Sequence, residues 1–207
     1  MPKGSNDLIK QRQKEIIDAC EKLYRTMSFK EVTIKEIGNA TSFTRTSIYN
    51  YYQTKEEIFL ALLKREYELW IDDLSELLSA NDQLSKDEFS DLMAKSLDKR
   101  KILLHLLSTN LQDIEENSRD EQLIEFKKVF GYSMKKVNEC VDKFFPDMPE
   151  KKRREFILTF YPFIYGIYPY AVVTEKQRNA MDSAGINFTY LSVYDIAYMG
   201  TRMLLGN

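Results

Sequence analysis

Cysteine, histidine, glycine and proline are all scarce in this chain, and each scarcity removes a class of protein. The 207 residues hold 2 Cys, 1 His, 7 Gly and 5 Pro. Cys20 and Cys140 are too few and too far apart for a disulfide framework or a metal site. Both sit in amphipathic runs, where cysteine acts as a small buried hydrophobe, so reduced thiols are expected. His105 is the only histidine and no glycine-rich phosphate loop is present, so metal, catalytic-triad and nucleotide chemistries lack their residues. No metal and no cofactor are expected. So little glycine and proline also argues against a turn-rich β-sandwich or barrel. No stretch approaches the ~20 uninterrupted apolar residues of a membrane span. Met1-Pro2-Lys3-Gly4-Ser5-Asn6-Asp7 lacks the apolar core of a signal peptide. A cytoplasmic protein without membrane contact is the expectation. The most apolar stretch, Phe156 to Val173, carries four tyrosines and two prolines and reads as core or interface. An excess of one charge is missing too. The net charge of −2, taken whole, points away from nucleic acid.

What is present suits a helical globule. Hydrophobic residues make up 43% of the chain and charged residues 30%, enough for a core and unlike a disordered tail. The length fits one large domain or two small ones. Ile9, Ile16, Ile17, Cys20, Leu23 and Tyr24 share one stripe of a helix from about Asp7 to Thr26. Thr33 with Glu36 forms a capping box opening a short helix, Thr41-Ser42-Phe43-Thr44 is turn-like, and Thr44 caps a second short helix through about Tyr51. Thr54 with Glu57 opens a long helix bearing Ile58, Leu62, Leu69, Trp70, Leu74 and Leu77. Ser85 with Glu88, Ser118 with Glu121 and Ser192 with Asp195 predict helices near 86–108, 119–145 and 193–205. A proline-interrupted helical region lies near 150–174. The segment Glu175 to Tyr190 is the least periodic and is expected to be a long loop. The fold class is all-α.

Ile16 to Leu62 carries the functional signal. Two short capped helices joined by a tight turn form a helix-turn-helix, resting on the amphipathic helix before it. The second helix of such a module enters the major groove N-terminal end first, and Arg45, Thr46 and Ser47 supply hydrogen-bonding side chains there. Ile48 should point inward, with Tyr49, Asn50 and Tyr52 alternating between groove and backbone. The run from Ile37 through Gly38, Ser42, Arg45, Tyr49-Asn50-Tyr51-Tyr52-Gln53-Thr54-Lys55-Glu56-Glu57 to Ile58 resembles the DNA-binding signature of the tetracycline-repressor (TetR) family. The match extends upstream through Ala19, Leu23, Tyr24, Phe29 and Thr33-Ile34 and covers about the first 60 residues. Two positions depart from the family pattern. Ser42 stands where a turn glycine is usual and would accept the turn's backbone conformation at some cost. Gly38 stands where a small alanine is usual, letting the two helices pack closer while weakening its own helix by about 1 kcal/mol.

The resemblance implies an N-terminal three-helix DNA-binding domain, residues 1–54, and a larger helical body, 55–207, for effector binding and dimerisation. Thr33, Thr44 and Tyr52 match the family's phosphate-contacting helix ends. Lys55 matches its recurrent phosphate contact at a helix N-terminus. Arg45, Thr46, Ser47, Tyr49 and Asn50 would face bases or flanking phosphates. The plainer alternatives are core aromatics and solvated lysines. Tyr51 is assigned to the core, and the phosphate reading is favoured for Lys55 but not for Lys35. In the body, Trp70, His105, Phe126, Phe130, Tyr161 and Tyr165 lie on helices that commonly line the family's pocket, although plain core packing is the favoured account of each, above all of His105. Phe160, Phe163, Ile167, Ile196, Met199, Gly200 and Met203 are assigned to the dimer interface. The implied function is a homodimeric, ligand-released repressor on a near-palindromic double-stranded DNA operator, with a small apolar or aromatic effector. Two rivals stay open. One is a regulator of the same family whose body binds a protein partner. The other is an all-helical enzyme, for which no convergent acid/base or metal groups are visible. Charge then reads differently: the first 55 residues hold 10 Lys+Arg against 6 Asp+Glu, the remainder 20 against 26, a basic head on an acidic body.

Overall fold

The structure, a computed structural model, describes residues 3–206, with side chains from Asp7 to Gly206. The leader reading of Met1–Asp7 thus falls partly, at Met1 and Pro2, outside the described residues. Every regular element among them is a helix: α1 Lys3–Tyr24, α2 Ile34–Asn39, α3 Arg45–Ile48, α4 Lys55–Ala80, α5 Lys86–Asp98, α6 Lys101–Thr109, α7 Leu111–Glu116, α8 Asp120–Phe144, α9 Glu150–Ala171, α10 Glu175–Ser183 and α11 Val193–Leu204. The chain divides into two compact units. The first joins Met1–Glu66 to Asn110–Phe130, the second Tyr67–Thr109 to Gly131–Asn207, and α4 and α8 each run from one into the other.

In the first unit the core is Ile16, Ala19, Cys20 and Tyr24 of α1, Phe29 and Val32 of the connection, Ile37, Ile48 and Tyr52, and Ile58, Phe59, Leu62 and Leu63 of α4. Phe59 gathers Tyr24 and Phe29, with ring centroids 5.2 and 4.7 Å away. The apolar stripe of α1 reaches this core only from Ile16 onward. Leu8 and Ile9 are exposed because the helix extends past it. Arg65 of α4 fastens α1 through Asp18 at 2.5 Å and Glu21 at 2.6 Å.

The second unit closes around Trp70, whose indole N–H donates to Ser96 Oγ at 3.0 Å. The indole packs against Tyr67, Phe160 and Tyr161. The Tyr161 and Ser133 hydroxyls pair at 2.9 Å, satisfying both in an apolar setting. Phe89 meets Phe144 and Phe145. The helix α11 lies against α5 and α9. Tyr194 Oη donates to Asp91 at 2.7 Å, and Arg202 Nε donates to Asp87 at 2.5 Å.

Several boundaries differ from the sequence reading, each for a physical reason. The single helix expected over 86–108 is two, because the chain turns at Lys99-Arg100. There Arg100 gives Nε to Asp73 at 2.8 Å and Nη2 to the Leu69 carbonyl at 3.2 Å. Ser118 does not cap α8; its hydroxyl donates to the Ile114 carbonyl at 2.7 Å, and Arg119 precedes the helix. Capping boxes do form at Ser85/Glu88 and Ser192/Asp195. The helix α9 runs unbroken through Pro162 and Pro169. Both prolines lie on its exposed side, where their rings displace no buried packing. The segment expected as a loop from Glu175 contains α10, opened by a Thr174/Gln177 capping box and closed by Ile186 N–H donating to the Met181 carbonyl at 3.1 Å. It buries no residue, so it leaves no apolar period to read.

Both cysteines are buried free thiols. Burial pushes the Cys20 thiol far up and that of Cys140 up to about 12. Among the described residues, no single helix is long and apolar enough to cross a membrane. No group of three or more metal-ligating side chains occurs among the described residues.

Candidate nucleic-acid interface

Thr33 opens α2 in extended backbone and accepts the Glu36 N–H at 3.3 Å. The return arm of the expected box, from the Glu36 side chain, is not made. The turn after α2 is tied by its own side chains. Thr41 Oγ1 donates to the carbonyls of Gly38 and Phe43, at 2.9 and 3.1 Å. Ser42 donates its N–H to Glu15 Oε1 at 2.5 Å and its hydroxyl to Glu15 Oε2 at 3.2 Å. No non-glycine residue among those described has positive φ, so Ser42 does not carry the expected backbone cost. The turn is held from outside by a carboxylate of α1, and the left-handed conformation that would demand glycine is not used.

Gly38 behaves as its size suggests. A Cβ there would sit 3.3 Å from the Arg45 Cα and 3.4 Å from its nitrogen, so α2 and α3 touch backbone to backbone. Thr44 occupies the N-cap position of α3 but makes no cap bond, and its hydroxyl pairs with that of Ser47 at 3.1 Å. The helix itself is one turn, continued as turns through Tyr51. Ile48 is fully buried and fixes which side faces out. Thr44, Arg45, Thr46, Tyr49 and Asn50 are exposed and Ser47 is half-buried. Arg45 Nη2 donates to Tyr49 Oη at 3.0 Å, with its guanidinium 5.8 Å from the ring centre, so the two longest side chains on this face brace each other.

Two expected contact residues are turned inward. Tyr52 is 3% exposed, and burial pushes its hydroxyl well above the usual phenol range. Lys55 Nζ donates to the Phe29 carbonyl at 2.7 Å and lies 4.3 Å over the Phe29 ring, tying the start of α4 to the connection before α2. Tyr51, expected in the core, is instead half-buried, and its hydroxyl accepts from Arg12 Nη1 at 3.3 Å.

Partners that pattern reading missed, Asn117 and Arg119, hold this arrangement. Thr54 caps α4 by accepting the Glu57 N–H at 3.1 Å and gives its own hydroxyl to the Asn117 carbonyl at 3.0 Å. Glu57, read as the return arm of a capping box, reaches the N–H of Gln53 at 2.7 Å instead. It also takes Arg119 Nε at 2.5 Å, Nη2 at 2.9 Å and the Arg119 N–H at 3.2 Å. Burial opposes its ionisation, but these donors outweigh burial and hold the carboxyl below the ordinary carboxylate range. The Lys-Glu-Glu run signalled an acid here; nothing in sequence signalled a partner 62 residues on.

The residues assigned to a pocket fall in both units. Phe126 and Phe130 belong to the first unit and face each other at 6.5 Å. Trp70, His105, Tyr161 and Tyr165 belong to the second. There Trp70 and Tyr161 are core residues, and His105 stacks on Tyr168 at 4.3 Å. Burial lowers the His105 pKa, favouring the neutral ring. A cleft of about 490 Å³ opens in this unit among Asp73, Leu77, Leu92, Ser96, Lys99 and Tyr194, and none of the six lines it. Of the residues assigned to an interface, Phe160 and Ile167 point into the core of their own unit. Gly200 serves an internal contact, since a Cβ there would lie 2.0 Å from the Phe163 ring of α9. Met199 and Met203 are exposed, and Ile196 and Phe163 are half-buried.

Comparison with known proteins adds an independent view. Residues 16–62 match the model of bacterial regulatory proteins, tetR family, and residues 64–192 that of the tetracyclin repressor-like C-terminal domain. The HTH-type transcriptional repressor Rv1474c of Mycobacterium tuberculosis is 25% identical over 68 residues, which are 33% of this chain and 36% of that protein. The match thus spans about a third of that relative's length. Among solved structures, a transcriptional regulator of the TetR/AcrR family from Thermobifida fusca superposes with a TM-score of 0.63 at 15% identity, covering 95% of this chain and 98% of that one. The fatty acid degradation regulator FadR from Bacillus halodurans gives 0.59 at 14% identity over 95% of both chains. Thermus thermophilus FadR, solved in complex with lauroyl-CoA, gives 0.56 at 16% identity over 93% of both.

Proposed function

The chain belongs to the tetR family of bacterial regulatory proteins and is a DNA-binding transcriptional regulator, and from that premise we propose that it acts as a homodimeric repressor in the cytoplasm, released from a near-palindromic operator by a small apolar effector. The observation that carries this reading is the outward row of Thr44, Arg45, Thr46, Tyr49 and Asn50 on a helix whose inward Ile48 is fully buried. A short helix so braced presents hydrogen-bonding groups to base edges while its module rests on the backbone. Arg45 suits a guanine edge and Asn50 an adenine edge. Thr33 and Thr44, at helix ends, would face phosphate. In this proposal Tyr52 and Lys55 act mainly from behind, by fixing the end of the reading head and the start of α4.

Dimerisation supplies two heads, and a two-fold dimer asks for half-sites about one helical turn apart. The apolar faces left open on α9 and α11, with Leu158 and Met203 59% and 80% exposed, support that role. An effector among Trp70, His105, Tyr161 and Tyr165 would have to open the core of the second unit, in which Trp70 and Tyr161 are buried. Fatty acyl-CoA thioesters head the compounds to try, since lauroyl-CoA is the ligand named for one solved neighbour. Release would change the separation of the two heads, with α4, continuous from Lys55 to Ala80, as the connecting rod.

The test is selection of bound sequences from a random duplex pool, followed by footprinting. Two protected half-sites related by a dyad are expected. Arg45→Ala and Tyr49→Ala should each weaken the selected site by about 1–3 kcal/mol while leaving random DNA nearly as well bound. Equal loss on both kinds of DNA would overturn the reading of α3 as the base-contacting helix.

A further inference from the structure

We propose that Arg12 of α1 is a DNA-backbone contact, placed beside the recognition helix to grip the phosphate wall of the groove that α3 enters. It extends the DNA-binding reading to a helix outside the helix-turn-helix. Neighbouring cations are neutralised: Lys14 of α1 pairs with Asp18 at 2.6 Å, and Arg25, just beyond the helix, pairs with Glu21. Arg12 is exposed and pairs with no carboxylate among the described residues. Its Nη1 donates to Tyr51 Oη at 3.3 Å, and its guanidinium carbon lies 6.0 Å from the centre of the Phe43 ring. Phe43 immediately precedes the N-cap of α3 and Tyr51 follows its last turn, so the guanidinium flanks the short helix at both ends.

That flank decides what the charge meets. The major groove is about 12 Å wide and a helix with its side chains about 10–12 Å across, so the recognition helix fills it from wall to wall. A cation beside the helix faces the sugar-phosphate strand and not the base edges. A guanidinium has five N–H donors, of which the Tyr51 contact uses one, and its planar fork matches the oxygens of a phosphate. Tyr51 and Phe43 already restrain the side chain, which reduces the freedom lost on binding. Arg12 would therefore add affinity without sequence preference.

The experiment uses the full chain and a mixed-sequence DNA duplex, with fluorescence anisotropy titrations repeated across salt concentration. Arg12→Gln should flatten the plot of log affinity against log salt by about 1 for each subunit bound, and weaken binding alike on every sequence. Arg12→Lys should keep most of the slope. Tyr51→Phe, which removes the hydroxyl partner but no charge, should keep all of it. Lys22→Gln, an exposed position ten residues on along α1 and so roughly 15 Å away, should also leave the slope unchanged. An unchanged slope for Arg12→Gln overturns the proposal, as does an equal flattening by Lys22→Gln, which would mark a diffuse charge effect. A loss of slope in Tyr51→Phe would overturn it too, by assigning the effect to the seating of α3. Failure of the unsubstituted chain to bind any duplex would instead overturn the DNA-binding reading itself.

Discussion

Two carboxylates, Glu15 and Glu57, set the geometry of the reading head without belonging to its outer face. Glu15 takes two bonds from Ser42 and so replaces what a glycine in the turn would have provided by conformation. Glu57 collects four donors from Gln53 and Arg119 at the other side of the module. Its folded-state pKa is depressed, so its contribution to stability is present above the ordinary carboxylate range and is lost as pH falls through the folded value. The melting temperature of the unsubstituted chain should therefore drop on acidification more steeply than that of Glu57→Gln, which should start lower at neutral pH. Thermal unfolding followed by circular dichroism from neutral to acidic pH checks this. Parallel curves for the two chains would show that the carboxylate of Glu57 contributes nothing through its charge. The acid at Glu57 was legible, as part of a Lys-Glu-Glu run after paired tyrosines. Its partner was not, because a single long-range ion pair leaves no period or spacing in the chain. Ser42 was legible only as an anomaly. Glu15, which resolves it, looked like any charged residue on a solvated helix face.

At the level of elements, legibility followed burial and capping. Helices that bury a stripe announced themselves: α1 and α4 lie close to where apolar spacing and the Thr54 cap put them, and α8 starts one residue from where Ser118 put it, although Ser118 does not cap it. Capping boxes located the starts of α5 and α11 to the residue. The break between α5 and α6 was hidden because both halves are apolar, and the turn is made by Arg100 reaching to α4. The reverse failure is α10, which has caps but no buried residue and so no stripe. Its stability should be local and separable from the rest. Thr174→Ala removes the hydroxyl that accepts the Gln177 N–H at 3.2 Å and should cost about 1 kcal/mol. Amide hydrogen exchange over 178–183 should then accelerate about fivefold, with the global melting temperature unmoved. A fall in melting temperature matching the loss of protection would mean that α10 unfolds with the core and is held by more than its caps.

The scale of the whole molecule is where composition was most misleading. A net charge of −2 averages a basic head, with 10 Lys+Arg against 6 Asp+Glu in its first 55 residues, over a body of opposite sign. Such a body is repelled by DNA while the head is drawn to it, so the field itself orients the approach. Orientation by charge is of use on the proposed two-fold site only with a fixed pair of heads, and the proposed dimer needs a surface that joins two chains. The protomer leaves Leu158 on α9 and Met199 and Met203 on α11 exposed, an apolar surface with no use in an isolated chain. Met203 is 80% exposed, so a charged residue there costs the single protomer almost nothing. In a two-fold interface the same substitution is made on both sides at once, where it buries two like charges without partners. Met203→Glu should therefore shift the sedimentation of the protein from dimer to monomer at micromolar concentration. The thermal unfolding of the second unit should stay comparable once concentration is held fixed. Binding to the selected operator should fall much further than binding to random DNA, because only the operator rewards two linked heads. A Met203→Glu protein that still sediments as a dimer would place the joint on another surface of the molecule.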